Sequence, residues 1–141
     1  MQLKSDEEFS TFISKLEERI LSDLNFNYDE NVEKFLNNMS KLSTQYRILL
    51  GRHSKEYLVL EEYLDELYKN LFKYYLEESD IKLTRDELKI WIKQDKSYKE
   101  VKSNMRNIKH ICELCEGAIK DLDSLGWNIQ RLTTYRTAVA I

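Results

Sequence analysis

The stretch YKEVKSNMRNIKHICELCEGAIKDL, residues 98–122, decides how this chain folds. Its apolar residues Tyr98, Val101, Met105, Ile108, Cys112, Cys115, Ile119 and Leu122 fall three or four apart throughout. That spacing keeps them on one face of a helix with 3.6 residues per turn. A strand would need alternation by two, which the stretch lacks. It therefore predicts a long amphipathic helix. Gly126 follows, and a glycine just past an apolar stripe reads as the residue that ends a helix. Trp127, Ile129 and Leu132 beyond it predict a short C-terminal helix. Gly117 and Ala118 are small enough to let a second helix approach closely.

The remaining sequence agrees with an all-α fold. The 141 residues include no proline and only three glycines. Such a chain has little material for tight turns or sheet corners. Apolar residues make up 42% and charged residues 33%, a balance that suits a folded domain. We read residues 1–141 as one helical domain. Ser5 and Glu8 have the spacing of a capping box. They open a first helix striped by Phe9, Phe12, Ile13, Leu16, Ile20 and Leu21. It should fade near residues 25–27, where asparagines and Asp29 favour a turn.

A longer pattern follows in two runs. Val32, Phe35, Met39, Leu42, Tyr46 and Leu49 form the first; Tyr57, Leu60, Leu64, Leu67, Leu71 and Tyr74 form the second. Both obey the three-four rule of a coiled-coil seam. Gly51 lies between them and costs a helix only about 1 kcal/mol. We expect one helix over residues 30–77 with a shift of register near Gly51, a hairpin break being the alternative. Thr84 and Glu87 make a second capping box. The short helix it opens carries Leu88, Trp91 and Ile92.

Motifs that suggest chemistry reduce to structure. His110, Cys112 and Cys115 look like part of a zinc site. At 100° per residue, however, His110 lies roughly 200° from Cys112. A structural zinc also needs four ligands, and the chain offers only His53 besides. Both cysteines sit on the apolar seam, where free cysteine acts as a small hydrophobe. We assign no metal and no cofactor. The chain has no phosphate-binding glycine loop and no H-E-x-x-H motif. Carboxylate pairs such as Glu61/Glu62 and Glu77/Glu78 are sequence neighbours that do not converge on one helix face. We expect no enzymatic activity and no catalytic residue.

Charge points toward an anionic partner. Residues 1–88 carry 12 basic and 19 acidic side chains, while residues 89–141 carry 10 and 6. The basic span centres on Lys89, Lys93, Lys96, Lys99, Lys102, Arg106 and Lys109, against Asp95 and Glu100. Such asymmetry marks either a solvated face or an anion-binding one. Residues 67–75, LYKNLFKYY, interleave Lys69 and Lys73 with Phe72, Tyr74 and Tyr75. Cations that hold phosphates beside rings that stack bases suit single-stranded nucleic acid. The alternative is that Leu67, Leu71 and Tyr74 are core and the lysines flank them. The nucleic-acid candidates are therefore Lys69, Lys73, Tyr74, Lys93, Lys96, Lys99, Lys102 and Arg106.

So many apolar seams are hard to bury within one small monomer, which predicts a homo-oligomeric helical assembly. Residues 95–136 are the expected assembly region. Its candidate contacts are Met105, Ile108, Cys112, Cys115, Ile119, Leu122, Trp127 and Ile129. A plain coiled-coil scaffold, with no nucleic-acid role, fits the same stripes. No apolar run approaches the length of a membrane span. The N-terminus has no apolar signal core. Two cysteines without a disulfide framework suit a reducing cytoplasm.

The C-terminal pattern is also specific. Cys115-x-Gly117-Ala118-Ile119 is followed by Leu122-x-Ser124-x-Gly126-Trp127-x-Ile129, then Leu132 and Arg136. Upstream stand Asp95-Lys96 with Val101, and Lys69 with Tyr74 and Tyr75. This arrangement resembles the tailed-phage recombination mediator family typified by UvsY, specifically over residues 95–136 and loosely before residue 69. The resemblance implies a protein that binds single-stranded DNA as a ring of six or seven subunits. It implies that a RecA-like recombinase and a single-strand-binding protein are partners, the first replacing the second on the strand. It also implies a place in the cytoplasm of an infected bacterial host. The family's DNA-contacting cations match Lys69 and, two residues on, Leu71, so the second is absent here. A family lysine likewise falls at Glu100.

Overall fold

The computed structural model describes residues 2–25, 32–78 and 80–140. Helix α1 spans Asp6–Asp23. Helix α2 spans Val32–Lys73 and runs on into a π-helical turn, Tyr74–Glu78. Helix α3 spans Arg85–Gln94 and helix α4 spans Lys96–Ala140. No strand occurs among the described residues. Helix α1 ends before Asn25, as expected, but the turn predicted around Asn27 and Asp29 lies outside the described residues.

Local chemistry explains the starts. Ser5 caps α1, its hydroxyl accepting from the Glu8 amide at 3.2 Å. Asp6, Glu7 and Glu8 place negative charge where the helix dipole is positive. Thr84 and Glu87 form the full reciprocal box at the start of α3, at 3.3 and 3.1 Å. Asp95 then caps α4, accepting from the Ser97 amide at 2.9 Å.

Helix α2 passes through Gly51 without a break, so the single-helix expectation holds. The register shift is visible in which residues turn inward. Steps of three and four alternate from Phe35 through Met39 and Tyr46 to Leu49. Two consecutive steps of four then bring in His53 and Tyr57, and the alternation resumes with Leu60 and Leu64. His53 fills this extra seam position. Its ring meets the Phe12 ring edge-on at 5.5 Å, and its Nδ1 lies 3.3 Å from Glu56 Oε2. Gly51 itself faces open space. Gly51→Ala should therefore stabilise the fold by about 1 kcal/mol, read as a higher denaturant midpoint with an unchanged slope.

Helices α2 and α4 pack antiparallel along most of their length. Tyr68 meets Tyr98, Ser54 lies 3.9 Å from the Cys112 sulfur, and Arg47 lies 3.8 Å from Asp123. Helix α1 braces the middle of this pair. Asp6 accepts from Ser103 and Asn107 on α4, and Arg19 donates to Gln45 on α2 at 2.8 Å. Buried Asn104 is fully used, exchanging hydrogen bonds with both backbone polar groups of Lys4 and donating to the Glu100 carbonyl.

Three sequence expectations are corrected here. The α4 core line is Ile108, Ile111, Cys115, Ala118, Leu122 and Ile129. Cys112 and Ile119 are only half-buried. Apolar neighbours at 111–112 and 118–119 left two readings of the stripe, and packing selects the one that puts small Ala118 inside. Gly126 does not end the helix; α4 continues through it to Ala140, and no glycine has positive φ. The Trp127–Leu132 tail is thus part of α4. A Cβ on Gly126 would stand 3.4 Å from the terminal methyl of Met39, close to ordinary contact with a flexible side chain. Gly117, in contrast, meets nothing within 4 Å. Finally, Tyr74 is 49% exposed, and half-buried Tyr75 takes its seam place. A π turn holds more residues than an α turn, so Tyr75 is the residue brought inward.

Candidate nucleic-acid interface

No helix among the described residues is long and apolar enough to cross a membrane. No group of three or more metal-ligating side chains occurs among them either. Cys115 is wholly buried, and burial pushes its thiol up to about 11. Burial also raises the Cys112 thiol. Both stay protonated near neutral pH, so neither offers the thiolate that attack or metal binding requires.

All eight nucleic-acid candidates reach solvent. They do not form one patch. On α2 the core line runs through Leu60, Leu64, Leu67 and Leu71, and Lys69 and Lys73 lie roughly 150–170° around the helix from it. They stand on the side of α2 turned away from α4, in company with Glu62 and Glu66. Lys99, Lys102 and Arg106 form a separate exposed stripe on α4, clear of the Val101–Ile108 core line. Lys93 projects from α3 on the flank opposite Trp91.

The structure brings together a different set, where the π turn, α3 and the start of α4 converge. Tyr75, Ile90, Trp91, Gln94, Asp95 and Lys96 line a shallow cleft of about 460 Å³. Three rings run edge to face along it. Tyr74 meets Tyr75 at 5.2 Å, and Tyr75 meets Trp91 at 5.9 Å. The Tyr75 hydroxyl donates to Asp95 Oδ2 at 2.8 Å. That bond, chiefly, raises the Tyr75 phenol above its ordinary value. The Ser97 hydroxyl, and then Tyr75, hold the Asp95 carboxyl below its usual range, overcoming the opposing effect of burial. Asp95 is thus an ionised pivot that fixes Tyr75 and caps α4 at once. Lys96 is almost fully exposed, with Glu100 3.9 Å away. An exposed pair at that distance is worth little, so Lys96 is available to another anion.

The sequence pattern grouped Trp91 with Leu88 and Ile92 on the short helix. Trp91 is 41% exposed, while Leu88 and Ile92 carry the burial. The available signal was its position: Trp91 sits about 80° from the line through Leu88 and Ile92.

The expected assembly contacts divide likewise. Met105, Ile108, Cys115, Leu122 and Ile129 are buried inside the chain's own core. Burial against α1 and α2 already uses these side chains. Cys112 and Ile119 are partly available. Trp127 is 65% exposed, and Tyr135 and Val139 are exposed further along α4. The side chain of Arg136 lies outside the described residues.

No family model and no curated protein sequence matches this chain. Solved structures do. Three crystal structures of the bacteriophage T4 recombination mediator protein UvsY, in lattice types IV, II and I, superpose with TM-scores of 0.80, 0.82 and 0.79. They cover 88%, 91% and 87% of this chain, and 95%, 97% and 97% of theirs, at 19% identity. Over nearly its whole length, the chain shares the fold of the T4 recombination mediator UvsY.

Proposed function

We propose that this chain is a non-enzymatic recombination mediator. It binds single-stranded DNA as a homo-oligomeric ring and helps a RecA-like recombinase take the place of a single-strand-binding protein. The fold it shares with UvsY carries this reading, and the separate cationic surfaces support it. A ring repeats each modest surface several times, so weak phosphate contacts along one strand add up despite a net charge of −3. Loading a recombinase also requires the strand to be released, which modest affinity per subunit allows. Trp127, Tyr135 and Val139 are the side chains we assign to contacts between subunits, with the half-buried Cys112 and Ile119 further up α4.

Fluorescence anisotropy of a labelled single strand, repeated across salt, tests the DNA claim. Log affinity should fall linearly with log salt. Lys69→Ala should flatten that slope by roughly 0.7, the loss of one single-strand phosphate contact. No binding even at low salt would sink the reading and leave the helical scaffold. A recombinase-loading assay separates the two directly, since a scaffold without a nucleic-acid role cannot accelerate filament formation on coated DNA.

A further inference from the structure

We propose that the cleft lined by Trp91, Tyr75 and Lys96 is a base-stacking subsite. It takes one unpaired nucleobase against the Trp91 ring, with the adjoining phosphate at Lys96. This rests on the DNA reading above but goes beyond it, because it assigns the contact to α3, which supplies none of the stacking candidates read from sequence.

The geometry has three parts. First, an indole that is 41% exposed sits at the wall of a cleft instead of in the core. Second, the ring is held from one side. Tyr75 abuts it at 5.9 Å, Tyr74 backs Tyr75, and the Tyr75 hydroxyl is anchored to Asp95. A stacking platform needs such support, because an immobile ring loses little entropy when a base settles on it. Third, Lys96 lines the same cleft. Asp95 also lines it, but its carboxylate is occupied by Tyr75 and Ser97. A carboxylate there repels phosphate, so the floor of the cleft suits the uncharged base and Lys96 suits the backbone. The basic excess of residues 89–141 matches this orientation. Stacking reads only the π face of a base, so the subsite is indifferent to sequence.

The test uses the full chain and an oligothymidine, compared with an abasic strand of equal length. Binding of the oligothymidine should quench tryptophan fluorescence, and the abasic strand should not. Trp91→Phe should remove that quench, which leaves Trp127 as the unaffected emitter, yet keep most of the affinity. Trp91→Leu preserves apolar volume without an aromatic face. It should weaken oligothymidine binding about tenfold, leave the salt slope unchanged and leave abasic binding unchanged. Circular dichroism of each variant confirms that the helices persist. Equal affinity of Trp91→Leu and the wild type, or equal quenching by the abasic strand, overturns the subsite while the DNA reading stands. A wild-type chain that binds no DNA overturns both.

Discussion

Tyr46→Ala should lower the stability of the fold by about 3–5 kcal/mol, the range for removing a large buried ring. Tyr46 is 1% exposed and sits where all three long elements meet. Its hydroxyl donates to Asp23 at 2.7 Å, which ties α2 to the end of α1. The Arg19 guanidinium lies 5.1 Å from its ring centre. Truncation removes packing, a charge-assisted hydrogen bond and a cation–π contact together. Tyr46→Phe keeps the ring and should cost about 1–3 kcal/mol. The pair of variants also has a pH signature. Burial first, and the bond to Asp23 second, hold the phenol well above its ordinary value. In the unfolded chain it ionises near pH ~10. Above that pH the folded state keeps a proton that the unfolded state releases, so stability declines as pH rises. Below it the contribution is fully present. Urea midpoints on either side of pH ~10 should show this alkaline decline, and Tyr46→Phe should reduce it, leaving the shares due to Tyr75 and to the raised thiols of Cys115 and Cys112. An equal decline in both proteins would place its origin elsewhere.

Changing Lys99, Lys102 and Arg106 together to alanine should weaken single-strand binding about 100-fold at ~0.1 M salt. The estimate follows from counterion release. Each single-strand phosphate contact contributes roughly 0.7 to the slope of log affinity against log salt. Three lost contacts remove about two units of slope, hence about two decades of affinity per decade of salt below ~1 M. The three side chains are exposed, so the helices should be unaffected. Because Lys69 and Lys73 face away from α4, the variant separates two paths for the strand. Wild-type affinity and slope in the triple variant would put the strand on the α2 side. A large loss here, with little from Lys69→Ala, would put it along α4.

What sequence revealed follows from what a periodic pattern can encode. The stripes of residues 35–71 and 101–122 specified two long helices, because a three-four repeat has no other regular solution. Ser5 and Thr84 marked helix starts through chemistry confined to four residues. Gly126 misled because a glycine after an apolar run has two meanings. It can end a helix, or it can lie inside one that continues, as α4 does to Ala140. The seam of α4 misled for a similar reason. An apolar face tells that something covers it, not whether the cover belongs to the same chain. The Trp91 cleft was least legible. It depends on a π turn that redirects Tyr75 and on Asp95 joining two helices, and neither leaves a periodic trace.

The brace supplied by α1 is incomplete, and this matters beyond packing. Helix α1 ends level with Tyr46, so among the described residues 32–45 and 120–140 pair with each other as an arm that α1 does not brace. Local opening of the arm therefore requires less free energy than global unfolding, and its amide hydrogens exchange with solvent first. The exposed Trp127, Tyr135 and Val139 lie on this same arm. Any neighbour that binds the closed arm and not the opened one raises its opening free energy with neighbour concentration. The arm's order is then set by how crowded its surroundings are with partners, while the braced middle keeps its own.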